Sequence, residues 1–263
     1  MAVLDVKNIS IEFGGLKAVS NFNLKLELGE LVGLIGPNGA GKTTIFNMLT
    51  GVYKPSAGDI LLSDKHNHPK RVNGLKPYQI TQCGAARTFQ NIRLFKDLTV
   101  LDNVLISLNF NVKYSTWQAI LRTTAFYREE ALLVEKAMGI LKIFNIDSKA
   151  KELAKNLPYG EQRKLEIARA LATGPNLLLL DEPAAGMNPQ ETEDLMKLIR
   201  FIRDEFKLTI LLIEHDMKLV MGICERIIVL DYGQMIAEGP PEEISRDPKV
   251  IKVYLGEEVE FDA

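Results

Sequence analysis

The chain has 263 residues, 46% of them apolar and 25% charged, enough to bury a full core in one large domain or a domain with a sub-domain, and too apolar for intrinsic disorder. A formal charge of −2 and a pI near 6.0 supply no global positive field, which argues against nucleic acid or an anionic bilayer as a partner held by charge. No run approaches the roughly 18 apolar residues of a membrane span, the opening MAVLDVKNIS carries an acid where a secretory signal would be apolar, and Cys83 and Cys224 lie outside any metal spacing; a cytosolic chain with unpaired thiols is expected.

In chain order, VLDVKNISIEF, FNLKLEL, the apolar ELVGLIG and DILL after the PSAG turn predict short strands over the first 62 residues. Between ELVGLIG and the helical KTTIFNMLTG, which Gly51 stops, lies Gly36-Pro37-Asn38-Gly39-Ala40-Gly41-Lys42-Thr43, a match to G-x-x-x-x-G-K-[ST]. By composition alone that pattern arises in roughly one chain in a hundred of this length. Glycines let the backbone N–H groups curl around phosphates and the helix N-terminus adds positive dipole. Lys42 is placed to reach β and γ phosphates, Thr43 to offer its hydroxyl to Mg²⁺, and Thr44 to supply a further hydroxyl.

DKHNHPKRVNGLKPYQ, about 64 to 79, reads as a surface excursion in which His66 and His68 lack a third metal ligand. From about 98 to 156 the pattern is helical, the size of a sub-domain inserted into an α/β core; Trp117 and Phe126 read as packing or interface residues. Alternation then resumes: LLLLD, helical ETEDLMKLIRFIRDEF, TILLIE, helical MKLVMGIC and RIIVLDYG, which implies a parallel sheet sandwiched by helices. The strand LLLLDE carries two carboxylates at its C-terminal tip, where open α/β sheets place ligands: Asp181 to hold Mg²⁺ through water, Glu182 to polarise an attacking water as general base.

LPYGE, residues 157 to 161, stands just before that strand, where the ATP-binding subunits of ABC transporters carry the signature LSGGQ, and the chain resembles that family. The resemblance implies a P-loop NTPase core with a RecA-like, mostly parallel sheet, an N-terminal antiparallel β sub-domain and an inserted helical sub-domain. It also implies that the signature turn of one subunit contacts the γ-phosphate held by another. Pro158 stands for the family serine, Tyr159 for the first glycine, Gly160 for the second and Glu161 for the glutamine. Proline suits a helix's first turn, so the dipole and the Gly160 N–H survive while the hydroxyl is lost; Glu161 must face away from nucleotide or be paired.

Further family positions are Gln90 in RTFQ, implied to touch Mg²⁺ and the attacking water; His215, the switch histidine on the γ-phosphate; and Ala184 to Asn188, the D-loop, with Asn188 for the more widespread aspartate. Phe13 is the candidate for stacking on adenine, with Val19 as a second contact. PYGQQ-like signatures and the ending RIIVLDYGQMIAEGPPEEISRDPKVIKVYLG are similar to the branched-chain amino acid importers, and the helical stretch 107 to 135 to the longer of their two ATPases.

The expectation is one nucleotide-binding domain spanning 1–263, with 1–90 and 172–263 as core and about 91–171 as the helical sub-domain. It would hydrolyse ATP with Mg²⁺, pair head to tail with a second ATP-binding subunit, copy or paralogue, and sit peripherally on the cytoplasmic face of the membrane. Permease subunits would hold it there, with a solute-binding protein as an indirect partner. Urea or amide uptake, lipopolysaccharide export and a soluble ATPase acting on nucleic acid or ribosomes are the alternatives. Acidic pI and a single nucleotide domain argue against the last.

Overall fold

The computed structural model describes residues 2–64, 68–109, 112 and 116–255. His66 lies outside them. In chain order the elements are β1 (Ala2–Phe13), β2 (Leu16–Glu27), β3 (Leu31–Ile35), α1 (Lys42–Leu49), β4 (Ala57–Ser63), β5 (Pro69–Arg71), α2 (Pro77–Gln82), β6 (Ala85–Arg87), α3 (Val100–Leu108), α4 (Thr116–Ile120), α5 (Thr124–Ile143), α6 (Tyr159–Ala172), β7 (Leu177–Asp181), α7 (Pro189–Phe206), β8 (Thr209–Ile213), α8 (Met217–Ile223), β9 (Arg226–Asp231), β10 (Gln234–Gly239), α9 (Pro241–Ile244) and α10 (Pro248–Leu255). They divide into two compact units, Met1–Arg87 with Asn176–Ala263, and Thr88–Pro175. Gln90 thus falls in the second unit.

The first unit holds two sheets. One is antiparallel, in the order β2-β1-β4-β5; the other runs β10-β9-β3-β8-β7-β6, parallel except for β10. Every residue of β3, β7 and β8 is buried, because helices cover both faces of a parallel sheet, and this is why those strands read as unbroken apolar runs. Leu34, Ile45, Phe46, Leu179 and Ile213 join Phe22 and Leu26 of the antiparallel sheet in one core cluster, each such side chain contributing roughly 1.5–3 kcal/mol.

Among the elements that depart from the sequence expectation are β2, β10, β5 and α2. β2 starts at Leu16, six residues before FNLKLEL, because Gly14 and Gly15, at φ 53° and 88°, close a two-residue hairpin. β10 follows a second such turn at Tyr232 and Gly233, φ 41° and 75°. β5 and α2 lie within and just beyond the polar excursion: β5 is an exposed edge strand of three residues opened by proline, and α2 starts on Pro77. Neither carries enough apolar residues to show a period.

The second unit is helical. Thr99 and Thr123 cap α3 and α5 through their hydroxyls, and buried Asn103 accepts the Phe95 N–H and donates to the Phe95 carbonyl, at 3.0 Å each. Trp117 is 73% exposed, whereas Phe126 packs edge-on against Tyr127 at 5.4 Å. Cys83 and Cys224 are both unpaired. Among the described residues no helix is long and apolar enough to cross a membrane.

Candidate active site

Three neighbouring parallel strands, β3, β8 and β7, end together, and each tip bears a polar motif, which is the position where open α/β sheets take ligands. After β3 the chain turns at Gly36, φ 150°, where an added Cβ would stand 2.2 Å from the Leu230 carbonyl. No other residue fits there. Gly41, φ 101°, then opens α1 as its N-cap. Lys42 is 6% exposed, with Nζ donating to the carbonyls of Gly36 at 2.6 Å and Pro37 at 2.9 Å. Burial lowers its pKa, opposed by the charges of Glu182 and Asp181. Ala40 is buried, Asn38, Gly39 and Thr43 are exposed, and Pro37, Gly41 and Thr44 are partly so.

The loop is held from behind. The Gly233 N–H donates to the Ala40 carbonyl at 3.0 Å. Pro37, Asn38 and Gly39 line a cavity of about 500 Å³ together with Tyr232, Lys252 and Val253.

At the tip of β7, Asp181 is 4% exposed and its Oδ2 lies 2.6 Å from Arg87 Nη2. Arg87 also donates to Asn47 Oδ1 at 2.7 Å and Thr50 Oγ1 at 3.1 Å, with its guanidinium 5.5 Å from the Phe46 ring. The sequence reading missed Arg87, although a cation three residues before Gln90, on a strand of small residues, was its available signal. Glu182 takes φ 47°, rare for a side chain of this size. Its N–H donates to the Ile213 carbonyl at 2.9 Å, and its Oε1 lies 2.8 Å from His215 Nε2 at the tip of β8. Asn188 closes the following turn with a capping box: it accepts the Glu191 N–H while Glu191 accepts its own, both at 2.9 Å.

The Thr43 hydroxyl and the Asp181 carboxylate form a hard, all-oxygen donor pair. That pair suits a magnesium ion completed by water and phosphate oxygens rather than a closed protein cage. Phe13, 43% exposed, meets Tyr53 edge-on at 5.2 Å. Val19 is 0% exposed and sits in the core cluster, so its side chain presents no surface to a base.

In the helical unit, Pro158 is the N-cap of α6 rather than its first helical residue and caps without a side-chain bond; Tyr159 opens the helix and Gly160 is buried. Glu161 is paired, its oxygens 2.7 and 2.8 Å from Lys149 Nζ, and the pair raises the lysine pKa. The Tyr159 hydroxyl accepts from Arg163 at 3.3 Å. Arg163, with no exposed surface, also donates to the carbonyls of Phe89 at 2.6 Å and Gln90 at 2.7 Å and to Glu166 at 2.7 Å. Glu166 in turn accepts the Arg93 N–H at 3.1 Å. A buried pair on α6 therefore ties down the backbone around exposed Gln90.

Residues 19–185 match the ABC transporter family, and residues 234–260 match the branched-chain amino acid ATP-binding cassette transporter family. The high-affinity branched-chain amino acid transport ATP-binding protein LivG of Escherichia coli is 49% identical over 255 residues, covering 97% of this chain and 98% of LivG. The ADP conformation of an ATP-binding cassette of an ABC transporter superposes with a TM-score of 0.82 at 32% identity, over 98% of this chain and 100% of the other. A dimeric ATP-binding cassette in a post-hydrolysis state, bound to ADP and phosphate, gives a TM-score of 0.74 at 26% identity, over 90% and 98% of the two chains. With the phosphate loop, the acidic strand tip and the histidine tip assembled on one sheet, the chain belongs to the ABC transporter family as a nucleotide-binding, ATP-hydrolysing subunit.

Proposed function

We propose that this chain energises uptake of branched-chain amino acids, as one of two ATP-binding subunits docked beneath a pair of permeases at the cytoplasmic face of the membrane. The observation that supports the chemistry is the 2.8 Å contact between Glu182 and His215 at adjacent strand tips. The solute class rests on the likeness to LivG and to the importer family over the terminal residues.

The N–H groups of Gly39 to Thr44 and the Lys42 ammonium bind the triphosphate, while Phe13 faces the base. Thr43 and Asp181 would hold Mg²⁺, which would supply positive charge against the phosphates. Arg87 pairs with the buried Asp181 and aims its carboxylate. Glu182 accepts the proton of the attacking water, and His215 holds the Glu182 carboxylate in place, yielding ADP and phosphate. Pro158, Tyr159, Gly160 and the paired Glu161 of a second subunit close the site from the opposite side, with the α6 dipole and the Gly160 N–H as the donors. A solute-binding protein delivers the cargo to the permeases.

The test is Glu182→Gln: ATP binding persists, turnover falls at least about a hundredfold, and an ATP-bound pair accumulates on a sizing column. Wild-type turnover in that variant would remove Glu182 as the base. For the solute, deletion of the chain in its native cell is expected to abolish uptake of radiolabelled leucine; loss of urea uptake alone would reassign it.

A further inference from the structure

Glu214, between β8 and His215, has no part in the scheme above, yet it is 3% exposed and fully engaged. Its Oε1 accepts the Ala184 N–H at 2.7 Å and its Oε2 accepts the His215 N–H at 3.1 Å. Burial raises its pKa, and these backbone donors pull the other way. The carboxylate therefore spans two turns. Ala184 lies two residues beyond Glu182, in the turn after β7, and His215 and Asp216 form the turn after β8.

Glu182 itself stands at φ 47°, a conformation that costs about 1–3 kcal/mol for a residue with a side chain and persists only when the surroundings over-determine it. Two links do so. The Ile213 carbonyl takes the Glu182 N–H at 2.9 Å, and Glu214 takes the next available N–H, beyond Pro183. The same carboxylate fixes the backbone that carries the histidine.

We infer that Glu214 is a positioning residue for ATP hydrolysis: it cross-links the turn carrying Glu182 to the turn carrying His215 and sets the register at which the two side chains meet. The inference rests on the roles given to Glu182 and His215. A glutamine at 214 keeps one acceptor and presents an NH₂ to a backbone N–H, so the cross-link breaks while the volume is conserved. Because Ala184 opens the D-loop segment, the link also ties this segment to the switch histidine.

The experiment is steady-state ATPase of the full chain with Mg-ATP for the wild type, Glu214→Gln, His215→Ala and the double variant. Glu214→Gln is expected to lower kcat about tenfold with KM for ATP unchanged within about twofold, since the phosphate loop is untouched. In the His215→Ala background the same change is expected to cost clearly less than in the wild type, because the meeting of Glu182 with the histidine that Glu214 sets is already lost there. Wild-type kcat in Glu214→Gln, or an equal loss in both backgrounds, overturns the inference. Should Glu214→Gln fail to fold, Glu214→Asp replaces it: the shorter carboxylate reaches only one turn, and wild-type kcat there is equally fatal. Glu182→Gln, run in parallel, separates the two levels: if it turns over normally the parent reading fails, and if it is inactive while Glu214→Gln is normal, only this inference does.

Discussion

The strand tips of the first unit and the signature helix of the second hold their functional groups by different mixtures of backbone and side chain. At the tips, backbone geometry sets the loop and Glu182, with the Arg87 and Glu214 side chains in support: Gly36 is forced by the Leu230 carbonyl, Gly41 stands at a φ of 101°, and Glu182 stands in a left-handed conformation. Around α6, side chains decide, with Arg163 and Glu166 reaching out to the carbonyls and N–H groups near Gln90. A site made of backbone tolerates little change at glycines and much elsewhere. A site made of a buried ion pair depends on two side chains at once.

The sharpest break of this comparison is Arg163→Met, which strands Glu166 without its cation. A loss of roughly 3–5 kcal/mol is expected, read by denaturant unfolding, and restoration by the double change with Glu166→Leu would show that the pair rather than the arginine matters. Arg87→Met is its counterpart at the strand tips. A similar loss is expected there, accompanied by weakened Mg²⁺ dependence of ATP hydrolysis; equal Mg²⁺ titrations in wild type and variant would detach Arg87 from the cation site.

Next in size is a pH effect on the phosphate loop. Burial lowers the Lys42 pKa from 10.5, and bound triphosphate favours the ammonium. ATP affinity is therefore full below the lowered pKa and declines as the pH rises through it, beginning on the near side of 10.5; an affinity flat up to that pH, by fluorescent-nucleotide titration, contradicts the sign. A smaller change follows at the D-loop turn, where Asn188→Ala removes the α7 cap and lowers stability by about 1 kcal/mol, measured by thermal unfolding. The smallest concerns reactivity: burial pushes the Cys224 thiol up to about 12, so an alkylating reagent at neutral pH labels half-buried Cys83 and spares Cys224 until the chain unfolds.

The same contrast explains what was legible in the sequence. The phosphate loop, the Asp181-Glu182 tip and His215 were readable because each is a short segment whose chemistry follows from local spacing and strand ends. Even the β2 and β10 hairpins carry a local signal, the Gly14-Gly15 and Tyr232-Gly233 turns, although the apolar alternation around them is shorter than the strands. Arg87, Glu214, Arg163 and Glu166 were not read. They act on partners far away in the chain, as Arg87 does on Asp181 and Arg163 on Phe89, and no periodicity encodes which distant group a buried charge will meet. Val19 shows the converse: its place upstream of the loop suggested a base contact, while its alternation within β2 turns it into the core.

Lys252 and Val253 of α10 line one cavity with Pro37, Asn38 and Gly39 of the nucleotide loop. Helix α10 is therefore a fastening, and a version of the protein cut back to Gly239 would be expected to grip ATP less firmly with every hydrolytic side chain still in place.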